Sequence, residues 1–300
     1  MTQTIQQILS DQPNMAGTQP VQYVETVEAY DKWAKVYDTD GNFLQRLDTL
    51  EMRALLPRFL DRVSSRFQLQ SQSTNATTLV DLGCGTGRNT IQLLEAISQR
   101  SRSQDDTLPA HGLQIVGLDA SPGMLEVART AVQSAIEHGD FKNTVDFSLG
   151  VFDLRGSAST RSQLSPLPQS FAAAGVISTL VLEHVPLKEF FEAASAIMMP
   201  GAYLLVTNMH ADMGMRSQAG FTDPQTGVKI RPTSYCHSIP DVLAAADQAG
   251  FEIEDLVGEE ENNGVLVRYV DERQVGVLGA RANKWVGINV WFGLCLSKKA

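Results

Sequence analysis

The sequence predicts an α/β protein, a doubly wound, mainly parallel sheet of seven strands with helices on both faces. Three observations predict it. Apolar strand-like runs alternate with amphipathic helical patterns through the middle of the chain, one run opens onto a glycine-rich turn in "LVDLGCGTGRNT", and the next ends on an acid before a capped helix in "GLDASPGML". Strands that alternate with helices are joined by right-handed crossovers, which lay them side by side and parallel. A chain of 300 residues can close one full core and still carry additions at its edge.

The elements follow in order. Residues 1–20 are polar and rich in Gln, Thr and Pro, the composition of a mobile tail, and they hold no apolar run of signal-peptide length. Over 24–38, Val27, Tyr30, Trp33, Ala34 and Tyr37 recur at helical spacing and make one apolar stripe that Asp40-Gly41 ends. A second helical pattern covers 43–67, with an interruption expected at Pro57. Residues 21–70 therefore read as a helical cap and 71–300 as the main domain. Its seven strand-like runs lie at 78–82, 113–118, 145–151, 173–179, 202–208, 251–257 and 286–296. The helix at 122–137 has Ser121 as N-cap, Pro122 at its first position and Gly139 as its stop. Residues 98–112 read as a long surface insertion. Residues 209–239, longer than a simple connection needs, read as a lid inserted after the fifth strand, with "TDPQTGVK" as the turn of a hairpin.

Composition narrows the function. A net charge of −10 disfavours a protein that grips nucleic-acid phosphates, which needs a basic face. No segment has the uninterrupted apolar length of a membrane helix. Cys84, Cys236 and Cys295 are far apart and lack CxxC spacing, so neither a disulfide framework nor a zinc site is expected. The reading is a cytoplasmic protein, monomer or homodimer, with a small-molecule partner.

In a doubly wound sheet the ligand lies beyond the carboxyl ends of the strands. Gly83, Gly85 and Gly87 remove side chains at that edge and let the backbone approach a ligand. They run GxGxG, whereas a dinucleotide site needs GxGxxG and an acid about 20 residues on; here the next strand-ending acid is the more distant Asp119. A carboxylate there can accept from both ribose hydroxyls of a different nucleoside ligand. "LGVFDL" then brings Asp153 to the same edge, with Val151 and Phe152 beside it, suited to an adenine edge and face.

With "VDLGCGTGR", "GLDASPGMLEVA", "FDL", "VLEHVPL" and "MMPGAYLLVTN" in this order, the chain from about residue 24 to 296 resembles the class I S-adenosylmethionine-dependent methyltransferases. Among them it is similar to fungal natural-product enzymes related to the ubiquinone-pathway group. The resemblance implies a Rossmann-like fold and S-adenosylmethionine as cofactor. It implies that Asp81, Gly83, Gly85 and Gly87 surround the methionine part, with Cys84, Arg88 and Asn89 nearby. Asp119 and Ala120 hold the ribose, Ser121 and Met124 flank the adenine, and Asp153 accepts from its amino group beside Val151, Phe152 and Leu154. Ser178 and Leu180 approach the cofactor after the fourth strand, and "YDKWAKVYD" lays Tyr30 and Tyr37 over the sulfonium end.

A sulfonium methyl needs an aligned nucleophile, exclusion of water and, for a protonated nucleophile, a base. His184 in "LEHVP" and His210 in "TNMHAD" are the candidate bases. No metal is expected, because Ser178-Thr179-Leu180 stands where metal-dependent relatives place a carboxylate. Trp33, Phe221, Tyr235, His237 and Trp285 are the candidate aromatic lining of a substrate pocket. The expected reaction is methyl transfer to N, O or S of a secondary metabolite, including the amide nitrogen of a diketopiperazine-type compound. The alternative is a methyltransferase-like regulatory protein that binds the cofactor without transferring its methyl.

Overall fold

The glycine turn sits near the middle of a sheet of eight strands. In the computed structural model, which describes residues 4–10, 21–68, 77–102, 113–139, 145–156, 172–258 and 263–300, β2 (Thr77–Leu82) ends on that turn. It lies parallel between β3 (Leu113–Asp119) and β5 (Ala173–Thr179). Beyond β3 lies parallel β4 (Val145–Val151), and beyond β5 lies parallel β6 (Met198–Met209). β11 (Asn289–Lys298) then runs antiparallel to β6 and carries both β9 (Phe251–Glu254) and β10 (Val265–Tyr269) on its other side. β5 is buried at all seven positions, as a parallel strand covered on both faces must be. The chain leaves β2 for β3 on one side and β5 lies on the other, so the order reverses beside the glycine turn, where α/β sheets bind ligands.

Among the described residues the central sheet has eight strands rather than the expected seven. The addition is β10, a short run whose partner β11 is supplied from the end of the chain. A second, three-stranded sheet was also not expected: β1 (Val21–Val24) pairs parallel with β8 (Lys229–Pro232), which pairs antiparallel with β7 (Phe221–Thr222). The hairpin turn closes through Asp223, whose carboxylate accepts from Gln225 N and Thr226 Oγ1, both at 2.8 Å. The N-terminal segment and the insertion are thus one sheet, and whatever moves the hairpin moves the start of α2 (Thr26–Trp33).

Three helical expectations change. The start of the chain is not all mobile tail: Ile5–Ser10 form helix α1, Ile5 is fully buried, and its N–H donates to Ser234 O at 2.8 Å. Residues 11–20 lie outside the described residues. α3 (Phe43–Gln68) runs through Pro57 without a break, because buried Leu55, Leu56, Phe59, Leu60 and Val63 hold both halves on the sheet and outweigh one lost N–H. α4 (Arg88–Arg102) takes up the first part of the expected insertion, and 103–112 lie outside the described residues. α5 (Pro122–His138) is as expected, with Ser121 Oγ accepting from Met124 N at 3.1 Å and Gly139 at its end.

Candidate active site

The turn after β2 is built by its glycines. Gly83, Gly85 and Gly87 all have positive φ, 79°, 54° and 85°, a region that a Cβ disfavours. A Cβ on Gly83 would lie 2.3 Å from Val181 Cγ2, and one on Gly87 2.9 Å from Val132 Cγ2. At Gly85 a Cβ would meet nothing within 4 Å. There the turn opens onto a cavity, and Asp119 closes its floor. Asp119 Oδ2 accepts from Gly85 N and Oδ1 from Ser121 N, both at 2.8 Å. Burial raises its pKa while these backbone N–H groups pull it down. Each oxygen keeps a further lone pair.

The cavity gathers most of the expected residues. Tyr30 and Tyr37 from the helical cap, Gly83 and Gly85 from the turn, Asp119, Ala120 and Ser121 after β3, Phe152, Asp153 and Leu154 after β4, and Leu180 and His184 after β5 all line it. Asp153 Oδ1 accepts from Arg155 N at 2.9 Å. Asp31 was not singled out in the sequence and proves a structural clamp. Its Oδ1 accepts from Ser121 Oγ at 2.5 Å and from Gly123 N at 2.9 Å, which ties α2 to the positive end of α5.

Other expected cofactor contacts do not face this cavity. Arg88 turns to α3, where its Nη2 pairs with buried Asp48 at 2.8 Å; Asn89 Nδ2 donates to Asp48 at 3.0 Å and to Thr179 Oγ1 at 2.7 Å. Ser178 Oγ donates to Leu82 O at 2.7 Å and stitches two strands. Cys84 and Met124 are buried behind the walls, Gly87 packs on α5, and Val151 is exposed at its strand end. Asp81 lies under the turn and accepts from Thr90 Oγ1 at 2.6 Å.

The two histidines separate. His184, in the one-turn helix Leu182–His184, is buried, and its Nε2 lies 2.7 Å from Tyr30 Oη and 3.2 Å from Glu183 Oε1. Its Nδ1 faces Thr233 O at 3.3 Å. A carbonyl can only accept, so Nδ1 carries a proton, while at Nε2 the Tyr30 hydroxyl can donate or accept and the Glu183 carboxylate lies beside it. Burial raises the Tyr30 pKa well above the usual phenol value and keeps that hydroxyl protonated. His210 is outside the cavity lining. Its Nδ1 accepts from Asp212 N at 3.1 Å and caps the short helix α7 (Ala211–Gly214), so the structure gives it a local structural task.

Residues 73–240 match the family model described as a methyltransferase domain. An uncharacterized methyltransferase of Emericella nidulans is 50% identical over 97% of this chain and 99% of its own. The chain belongs to the methyltransferase family. Among solved structures, a Methanosarcina mazei S-adenosylmethionine-dependent methyltransferase is 14% identical with a TM-score of 0.47, over 77% of this chain and 96% of that one. A geranyl diphosphate methyltransferase in complex with geranyl diphosphate and sinefungin is 13% identical with a TM-score of 0.46, over 84% and 78%.

The aromatic candidates of the methyltransferase do not form one pocket. Trp33 stacks on Phe221 with centroids 5.2 Å apart and planes 15° from parallel, which fastens α2 to the hairpin. Tyr235 stacks on His237 at 5.7 Å, and its backbone N donates to Glu183 O at 2.7 Å. His237 Nε2 lies 3.0 and 3.1 Å from Leu182 O and Val185 O, so it clamps the turn that carries His184. Trp285 faces a separate cavity with Trp33.

Asp81 supplies a test of the buried turn. Burial pushes its carboxyl up to about 7, with the Thr90 hydroxyl as the largest opposing influence. Between about pH 4, where an unfolded Asp ionises, and about 7, the folded state keeps a proton that the unfolded state has lost. Stability therefore falls as pH rises through that window. In the cofactor-free protein, Asp81→Asn is expected to raise stability at pH 8 by about 1–3 kcal/mol, a gain that shrinks as the pH is lowered towards 5. Calorimetric melting temperatures at both pH values check it, and a gain independent of pH would contradict it.

Proposed function

We propose that this methyltransferase acts on a small molecule, a secondary metabolite, and methylates N, O or S by in-line transfer at the Tyr30–His184 end of the cavity. The hydrogen bond between Tyr30 Oη and His184 Nε2, 2.7 Å long and partly buried, is the observation that carries the reading. The opening over Gly85 and the free lone pairs of Asp119 suit a nucleoside. Asp119 would hold the ribose hydroxyls, Asp153 the adenine amino group, and Phe152 and Leu154 the faces of the base. The cofactor supplies an electrophilic methyl group.

The chain's own residues do the rest. Tyr30 and Tyr37 exclude water from above. An acceptor hydroxyl or amide that binds against Tyr30 passes its proton to Tyr30 Oη as Tyr30 passes its own to His184 Nε2. Glu183 Oε1, 3.2 Å from that nitrogen, then faces a cation. Among acceptors, the amide nitrogen of a diketopiperazine-type compound is supported by the sequence resemblance and needs such a relay. Calorimetry with S-adenosylhomocysteine, followed by mass spectrometry of a small-molecule extract incubated with methyl-labelled cofactor, tests the reading. Binding with label in a small molecule is expected; binding without any labelled product would favour the regulatory alternative.

We also propose that no metal is used. At the end of β5 Ser178 and Thr179 are committed to Leu82 O and Asn89, and Leu180 is apolar. Exhaustive dialysis against EDTA is expected to leave turnover unchanged, and recovery of lost turnover by added magnesium would overturn this.

A further inference from the structure

A second cavity, of about 100 Å³, lies on the other side of α2, between Trp33, Phe43 and Met209 and the start of the hairpin, with Trp285 and Glu183 in its wall. Among the described residues, three that line it each bury a polar atom without a hydrogen-bond partner: Glu183 Oε2, Gln218 Oε1 and Trp285 Nε1. Buried polar groups are normally paired, so three such atoms around one cavity leave it two acceptors and one donor to offer a ligand. Trp285 is the exception among the three tryptophans: Trp33 Nε1 donates to Asp40 Oδ2 at 3.1 Å and Trp291 Nε1 to Asp48 Oδ1 at 3.0 Å. Gln218 Nε2 donates to Pro232 O at 2.6 Å, and since that carbonyl can only accept, the free Gln218 atom is an oxygen.

We infer that this cavity is a subsite for a part of the acceptor molecule remote from the transferring methyl, and that it selects there a planar group carrying N–H donors beside a hydrogen-bond acceptor. The inference rests on the reading of His184 as the reacting end. Glu183 links the two cavities: Oε1 lies 3.2 Å from His184 Nε2 while Oε2 is unpaired. A ligand N–H on Oε2 therefore sits one carboxylate away from the base. Two acceptors and one donor in the wall call for the converse set, N–H groups and one oxygen, which a carboxamide or lactam supplies. A carboxylate would bring no N–H to the Glu183 and Gln218 oxygens, even with Arg281 and Lys284 in the same wall, and a plain hydrocarbon would leave all three atoms unpaired. Phe43 and Trp285 stack at 6.2 Å and give a flat wall, and a cavity of this order admits a single ring.

The test uses the full chain saturated with S-adenosylhomocysteine and three ring probes, benzamide, benzoate and toluene, read by saturation-transfer NMR titration. Benzamide is expected to bind about tenfold more tightly than either other probe, and Trp285→Phe or Glu183→Gln is expected to weaken it by about tenfold, as loss of one buried hydrogen bond implies. S-adenosylhomocysteine affinity should stay unchanged in both variants. Equal binding of all three probes, or benzamide binding that neither variant weakens, would overturn the inference. Glu183→Gln changes no volume, so it decides the matter if Trp285→Phe fails to fold. Absence of S-adenosylhomocysteine binding to the wild type would defeat the placement of the cofactor instead, and the probe titration, run without cofactor, would still decide the subsite.

Discussion

Asp119→Ala is expected to weaken S-adenosylhomocysteine binding by about 3 kcal/mol or more, roughly 100-fold. The side chain does two things at once. Its oxygens accept from Gly85 N and Ser121 N at 2.8 Å, and their remaining lone pairs face the cavity. Alanine removes the ribose acceptors, and it also leaves two buried N–H groups unpaired at the points where the glycine turn and α5 begin. Each of those is worth about 1–3 kcal/mol, and the turn pays by loosening the wall that the nucleoside would touch. Asp119→Asn keeps an acceptor for one N–H but presents an NH₂ to the other, so its affinity should fall between alanine and wild type. Calorimetry well below the melting temperature of each variant separates weaker binding from unfolding. Unchanged affinity in the alanine variant would move the nucleoside elsewhere.

What could be read from the sequence was what local chemistry fixes. A strand that runs into Gly83, Gly85 and Gly87, and an acid before a Ser121-Pro122 helix start, are short-range patterns, and the structure places Gly83, Gly85, Asp119 and Ser121 around one cavity. Long-range pairing was invisible. Val21 lies opposite Lys229 in the small sheet, and nothing within either segment names the other. Arg88 and Asn89 stand at a helix start beside the glycines, which is why the resemblance turns them to the cofactor. Their partner Asp48 lies in the second turn of α3, fully buried, and also accepts from Thr207 Oγ1 at 2.5 Å and from Trp291 Nε1. An acid on a mixed helical stripe carries no sign of that role. Ile5 was hidden for the opposite reason, an apolar residue in a mainly polar stretch, buried because its N–H reaches Ser234 O and its side chain joins the main core.

His184→Ala is expected to lower turnover by about 10²–10⁴-fold for a hydroxyl or amide acceptor, with S-adenosylhomocysteine affinity nearly unchanged. The case rests on how the side chain is held. Thr233 O fixes the Nδ1 proton, His237 clamps the turn through Leu182 O and Val185 O, and Tyr30 Oη is hydrogen-bonded to Nε2 at 2.7 Å. A histidine that only satisfied a loop carbonyl would need none of the last two. Tyr30→Phe removes the relay hydroxyl and keeps the ring that packs on Trp33 and Tyr37 at 5.6 and 5.8 Å, so it should cost turnover while preserving the cap. His210→Ala removes only a cap on α7 and should leave turnover within about twofold, since loss of a cap costs stability rather than proton transfer. The ordering of the three variants identifies the nucleophile as well. A thiolate or neutral amine has no proton to give up before transfer, so near-normal turnover in both His184→Ala and Tyr30→Phe would show that the enzyme works by alignment alone. A loss confined to His210→Ala would place the base at the end of β6.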